Sequence, residues 1–458
     1  MALIHRSRSS RSRGFFSIIL AMITLIIAGG GYILFFENEK PTAYIETMGN
    51  YLGQNSTFQY TVSDQKSGIK SITLRAVQGD KKKVLYSISF PRSSYRGPGG
   101  PTSDSKTVPF NAIPEGFKDG PLTLTLEVTD FSFYSWFKGN KTIVQKQVTV
   151  DTRPPQIQIL HGEKYIIPGG SGIAIYRLSE DCKRHGVMVN EHFNPGFAIG
   201  DGREDTFISF FALPFDTERI DSLSVDAVDK AGNSSSTPFT TTYKAVRKKK
   251  DRINVGDGFL SRKIPEFQRH YPDLSGSSLE KYLYINNSVR KLNNQQIRDL
   301  CNNPHKERLW KGRFLRMAGS SRAGFADYRT YYYGGKAIDH QVHLGMDIAS
   351  TQRAEVRAAN RGIVIFADYL GIYGNMVMLD HGQGVFSLYS HLSKINVTPG
   401  DNVNQKAVLG LTGKTGMAGG DHLHFSMLVN GIFVLPREWW DQHWIDVNIE
   451  EPITDSKF

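Results

Sequence analysis

"GGDHLHFSMLVNG" (residues 419–431) sets two histidines either side of one leucine, in a stretch that otherwise reads as a buried strand. Side chains alternate faces along a strand, so His422 and His424 point one way and Leu423 the other. Two imidazoles on one face suit a metal site or an acid/base pair. Asn430-Gly431 closes the stretch with a hairpin turn into "IFVLP". Companion strands lie upstream: "GIVIFA" (362–367), "NMVMLDHG" (375–382), "VFSLYSHL" (385–392) and "VLGLTG" (408–413). His381-Gly382-Gln383-Gly384 joins two of them as a hairpin. No helical segment of crossover length separates these strands, so a mostly antiparallel sheet is expected.

Six of the 13 histidines fall between 340 and 424: His340, His343, His381, His391, His422 and His424. In "HLGMD", His343 and Asp347 stand four apart, and the intervening Gly345 argues against a helix interior. His343, Asp347 and one histidine of the later pair make a two-nitrogen, one-oxygen donor set. That set suits tetrahedral Zn²⁺ with the fourth position open, the pattern of catalytic rather than structural zinc. The HExxH pattern is absent, so no glutamate on a metal-binding helix can serve as base; histidine is suited to that role near neutral pH. His381, in a turn, reads as structural, and His340 as a loop residue. Tyr331, Tyr332 and Tyr333 could floor a groove or pack in the core. "GKTGMAGGD" (413–421) lacks the phosphate-loop pattern and reads as a groove-rim loop.

Taken together, the motifs of residues 304–445 resemble the lysostaphin/LytM-type zinc metallopeptidases, which cut peptide cross-links in bacterial cell walls. The matching runs are "HLGMDIAS" (343–350), "VRAANRGIVIFA" (356–367), "YGNMVMLDHGQG" (373–384), "LYSHLSKINVTPGDNV" (388–403), "LGLTGKTG" (409–416) and "GGDHLHF" (419–425). The resemblance implies that His343, Asp347 and His424 hold one Zn²⁺ per catalytic domain. It implies that His391, in "SHLS", and His422 are the two catalytic histidines that do not bind metal. Peptidoglycan peptide stems are then the expected substrate. Members of the family split Gly–Gly bridges or D-Ala–diaminopimelate links, and the second fits a membrane-anchored chain without a wall-binding repeat. Some relatives have lost ligands and instead activate other wall hydrolases. Here all five residues are present, so an endopeptidase is expected, with the regulator as the alternative.

The N-terminus gives the setting. Residues 15–36 carry no charge over 22 positions, enough for a membrane-spanning helix. Arg6, Arg8, Arg11 and Arg13 precede it, while Glu37 and Glu39 follow with Lys40. That asymmetry predicts a single pass of the bacterial inner membrane, with a basic cytoplasmic stub (1–14) and the remainder on the periplasmic side. A cleaved signal peptide would have a shorter apolar run ending in small residues. The net charge of +11 favours acidic partners. Export turns that preference away from nucleic acid and towards wall polymer or anionic lipid. Cys182 and Cys301, far apart, form neither a disulfide framework nor a cysteine zinc site, and read as free and buried.

Between anchor and histidines the chain reads as strands. "STFQYTVSD", "KSITLRAV", "KVLYSISF", "LTLTLEVTD" and "KTIVQKQVTV" alternate within 41–150, and Pro154-Pro155 marks a boundary. A second stretch, 151–245, has the same texture, and "VDAVDKAGNSSS" echoes "LEVTD…KGNKT". With "SGIKS" (67–71), "RPP" (153–155) and "DKAGN" (229–233), both stretches resemble immunoglobulin-like domains of bacterial surface proteins. They are expected as β-sandwich spacers that also offer surfaces to other envelope proteins. "VRKKKDR" (246–252) reads as a solvated linker. Ser277 and Glu280 form a capping-box pattern ahead of "LEKYLYINNSVRKL", so 246–303 is expected to be a linker and helical bridge outside the catalytic unit. The whole is expected to be mainly β, ending in an antiparallel-β catalytic domain at 304–458.

Overall fold

A computed structural model describes residues 11–35, 37–47, 49–95 and 97–457. The chain is mainly β. It opens with an apolar helix, Arg11–Phe35, in which Gly14–Tyr32 is long and apolar enough to cross a membrane. Arg6 and Arg8 of the expected basic stub, and the last position of the expected 15–36 span, lie outside the described residues. Two compact units follow from the pattern of contacts, the second being Pro155–Asp229 with Ser234–Phe458.

In the first unit, strands Thr42–Thr47, Asn55–Ser63 and Ser103–Asn111 form one sheet. Tyr51–Leu52, Lys141–Val150, Gly120–Asp130, Ile69–Gln78 and Lys81–Ser89 form the other. Strict alternation drives the packing. Leu122, Leu124, Leu126 and Val128 are buried from one strand and meet Phe58, Tyr60 and Val62 in a shared core.

The second unit is a stack of layers. Its N-terminal part has two four-stranded sheets, built around Ser171–Leu178 and Cys182–Val189. Strand Ser171–Leu178 is buried on both faces. Ala174, Tyr176 and Leu178 pack within the sandwich, while Ile173 and Ile175 join Trp310, Val364 and Trp439 in a core shared with the C-terminal region. The C-terminal region centres on an eight-stranded sheet whose pairings are all antiparallel. Along Gly374–Asp380 the two faces have different neighbours: Val377 and Leu379 turn to the sandwich-side core, Met376 and Met378 to a helical layer. Covering both faces leaves Val385–Leu392 buried throughout.

That helical layer corrects the expectation of a bridge. Helices Asp257–His270, Ser278–Tyr284 and Arg290–Leu300 pack Phe267, Tyr282 and Ile297 against Met378, Phe386, Leu388 and Leu428. The Ser277/Glu280 capping box is present, each partner satisfying the other's backbone N–H. The basic linker is also partly ordered. Lys250–Asn254 is a strand lying parallel to Asp327–Tyr333, which pairs in turn with Lys336–His343. Spare edge hydrogen bonds of that hairpin recruit a segment whose charge alone suggests a solvated linker. Both cysteines are free; Cys301 is buried but Cys182, expected to be buried as well, is only half-buried.

Candidate functional site

His343 ends strand Lys336–His343, Asp347 lies in Met346–Ala349, and His424 in Leu423–Val429. Asp347 and His424 are register partners on adjacent antiparallel strands, so pleating brings both side chains out on the same face. The result is a nearly equilateral triangle. His343 Nε2 is 3.0 Å from Asp347 Oδ1, His424 Nδ1 is 3.0 Å from the same oxygen, and the two nitrogens are 2.9 Å apart.

Their outer contacts fix which ring nitrogens face inward. His343 Nδ1–H donates to the Gly324 carbonyl at 2.8 Å. His424 Nε2–H donates to Ser426 Oγ at 3.1 Å, and that hydroxyl donates onward to Leu344 O at 2.8 Å. Both inward nitrogens are therefore lone-pair acceptors, aimed with a carboxylate oxygen at one point. Three converging acceptors are the chemistry of a cation site. Zinc bonds of about 2.0–2.2 Å would need the triangle to open by only a few tenths of an ångström. Gly345 makes room for this: a Cβ there would come within 2.6 Å of both His424 Nε2 and Ser426 Oγ.

Burial raises the Asp347 carboxyl, but the surrounding His343, His422 and His424 outweigh it and hold Asp347 well below the usual carboxylate range. Its second oxygen is also engaged, with Arg329 Nη2 3.2 Å from Asp347 Oδ2. Burial drives His424 down to about 4, so the ring stays neutral. Asp327 supports the cluster from outside. Its carboxylate accepts from Gly324 N–H at 2.8 Å and pairs with Lys249 at 2.9 Å, fixing the turn whose carbonyl orients His343.

His391 and His422 stand beside the triangle, their rings 4.9 Å apart and His391 5.8 Å from His424. His391 sits near the end of strand Val385–Leu392 at φ +63°, a left-handed backbone rare outside glycine and asparagine. Its Nδ1–H donates to Thr415 O at 2.9 Å. His422 makes a single bridge to Gly413, donates from Nδ1–H to Gly420 O at 2.9 Å, and holds Nε2 3.5 Å from Asp347 Oδ1. Each leaves Nε2 as the nitrogen without a backbone acceptor. Burial, with His422 and His424 adjacent, puts His391 well below the usual imidazole value. Burial opposes the proton on His422 too, but the Asp347 carboxylate prevails and raises it.

All five side chains line one cavity of about 320 Å³. Peptidase family M23 matches residues 341–436, the stretch that carries all five of these side chains. Residues 341–436 are an M23 domain. This chain is 42% identical over 96 residues to the DD-carboxypeptidase/endopeptidase Mpg of Neisseria meningitidis, covering 21% of this chain and 22% of that protein. It is 35% identical over 97 residues to the peptidoglycan DD-endopeptidase ShyC of Vibrio cholerae, again 21% and 22%. It is 36% identical over 107 residues to the murein hydrolase activator EnvC of Escherichia coli, 23% of this chain and 26% of that one. The chain thus spans about a quarter of the length of each of these three relatives.

Around the M23 domain, the other residues singled out in the sequence separate. His381 is fully buried, bonded to the Arg361 carbonyl at 2.6 Å and the Ser387 hydroxyl at 2.7 Å, and takes no part in the cavity. His340 is exposed on a strand rather than in a loop, beside Thr330. Of the three tyrosines only Tyr331 lines the cavity; Tyr332 stacks under Arg252, and Tyr333 donates to Asp257. Met417, Ala418 and Gly419 of the Gly-rich loop line the cavity. Sequence reasoning missed Arg329, Ser426, Asp327 and Tyr373. Tyr373 packs 5.8 Å from the His424 ring. Arg329 and Asp327 carried one faint signal, as charged residues in an otherwise aromatic strand.

Proposed function

We propose that the chain is a membrane-anchored zinc metalloendopeptidase that hydrolyses peptide cross-links of bacterial peptidoglycan. The observation that carries this is the triangle of three inward acceptors, with two further imidazoles presenting Nε2 to the same cavity. His343, Asp347 and His424 would hold the metal, which when bound supplies Lewis-acid polarisation of a carbonyl and a water of lowered pKa. His391 and His422 move the proton: one Nε2 takes it from the attacking water, and it is delivered to the leaving amine as the C–N bond breaks. Such acid/base assistance contributes about 10²–10⁴-fold. Arg329 keeps Asp347 oriented. The helix Arg11–Phe35 would anchor the chain, with the M23 domain on the extracytoplasmic side, as its peptidoglycan-endopeptidase relatives suggest.

A second reading comes from the likeness to the murein hydrolase activator EnvC: a non-enzymatic regulator of other wall hydrolases. The complete donor set favours the enzyme. Purified full-length protein loaded with zinc, incubated with sacculi, should release cleaved cross-links that vanish with a chelator. A regulator would leave the sacculi intact, and its His424→Ala variant would still support wall hydrolysis in cells.

A further inference from the structure

We propose that Arg290 forms a carboxylate-binding subsite in the catalytic cavity, so that the preferred peptide carries a free carboxylate close to the bond cut. The inference rests on the peptidase reading above and adds a chemical preference to it.

Apart from the histidines, the charged residues lining the cavity are Asp347, Arg329 and Arg290; the rest of the wall is largely apolar, with Val255, Phe259, Tyr282 and Met417 among its residues. Arg329 is engaged, 3.2 Å from Asp347 and 3.8 Å from Asp251. Arg290 is not. Among the described residues no carboxylate lies within ion-pair distance of it. It is held from behind: Nε–H donates to the Asn286 carbonyl at 3.0 Å, and Nη2 to the Asn286 side-chain oxygen. Asn286 is itself fully buried, and its amide nitrogen donates to Asp339 Oδ2 at 2.6 Å. Asp339 is thus one amide removed, and the guanidinium is fixed in direction. Two of its five N–H groups are used, and both Nη1 hydrogens remain.

A half-buried guanidinium held in one direction, with no carboxylate partner and both Nη1 hydrogens unused, is placed to receive an anion. Its planar fork matches a carboxylate better than a point cation would. The surroundings extend the argument. Arg290 also lines an adjoining cavity of about 430 Å³ with Lys291 and Arg298 and no acidic residue. Positive charge therefore runs from the catalytic cavity along helix Arg290–Leu300. A carboxylate could come from the residue that donates the leaving amine or from the free C-terminus of a stem peptide.

The test measures equilibrium binding and turnover with the full-length zinc protein and synthetic cross-linked peptides. One peptide has both carboxylates free. A second has the amine-donor carboxylate as carboxamide, and a third has the C-terminal carboxylate as carboxamide. The wild type should bind the free form about tenfold or more tightly than one of the two amides, which names the source. Arg290→Gln should abolish that discrimination, and Arg290→Lys should retain part of it, with melting temperatures unchanged. Equal binding of all three peptides by the wild type, or discrimination surviving in Arg290→Gln, overturns the proposal. Selective binding without turnover would instead leave the subsite standing and refute the peptidase reading.

Discussion

Arg329 Nη2 lies 3.2 Å from Asp347 Oδ2, the oxygen that does not face the two histidines. The guanidinium and the histidine pair thus hold the same carboxylate from its two sides. Removing the outer partner frees Asp347 to rotate. Arg329→Gln should weaken zinc binding by about 10–100-fold, read by chelator competition, with the fold retained. Unchanged zinc affinity would show that Arg329 is not a positioning residue for the metal site.

Gly345 has no room for a side chain. Gly345→Ala places a methyl within 2.6 Å of His424 Nε2 and Ser426 Oγ, so the ring must turn out of its hydrogen bond. Zinc content of the purified variant should fall to trace levels. Gly345 is some distance along the chain from His424, so a full zinc complement would mean that the strands absorb the clash.

His391 and His381 should part in their effects. His391→Ala should cut peptide hydrolysis by about 10²–10⁴-fold while leaving the melting temperature nearly unchanged. His381→Ala removes a buried ring bonded on both nitrogens, and should cost about 2–4 kcal/mol of stability while zinc binding persists in the folded fraction.

Glu163 and Glu438 give the second unit a pH dependence. Burial pushes Glu163 up to about 7 and Glu438 up to about 8, from an ordinary 4.5, and Glu163 adds to the rise at Glu438. Both folded values lie above the unfolded ones. Their contribution is fully present below about pH 4.5 and is lost as pH rises to 7 and 8. Glu438→Gln stays neutral, so its melting temperature should exceed the wild type's at pH 8 by about 2 °C or more and lose that advantage at pH 4.5. It gives up little in exchange, since its amide oxygen can still accept from Ser171 N–H. An equal difference at both pH values would show that Glu438 does not titrate in this range.

The strands of the C-terminal sheet were legible because alternation and turn residues are local signals. Val385–Leu392 is a strand, as its pattern indicates, and Asn430-Gly431 turns the chain into Ile432–Val434. The five histidine and aspartate positions were legible because their residue types are rare together, and the structure brings them into one cavity. The position of the helical layer is not legible, because amphipathicity shows that a face is buried, not what it is buried against. Phe259, Tyr282 and Arg290 line the cavity from more than 50 residues upstream of the first histidine motif, a placement that no spacing rule encodes. The strand Lys250–Asn254 was hidden for a related reason. Its pairing supplies backbone hydrogen bonds to a distant edge, and its side chains carry the composition of a linker.

In the proposed enzyme, His343, Asp347 and His424 hold a metal that lets His391 and His422 direct water onto a wall peptide. Mass spectrometry of muropeptides from sacculi treated with the full-length zinc protein tests it most directly. Cross-linked dimers should convert to monomers, and His424→Ala should leave the dimers whole. Intact dimers in the presence of protein carrying one zinc per chain would contradict the account.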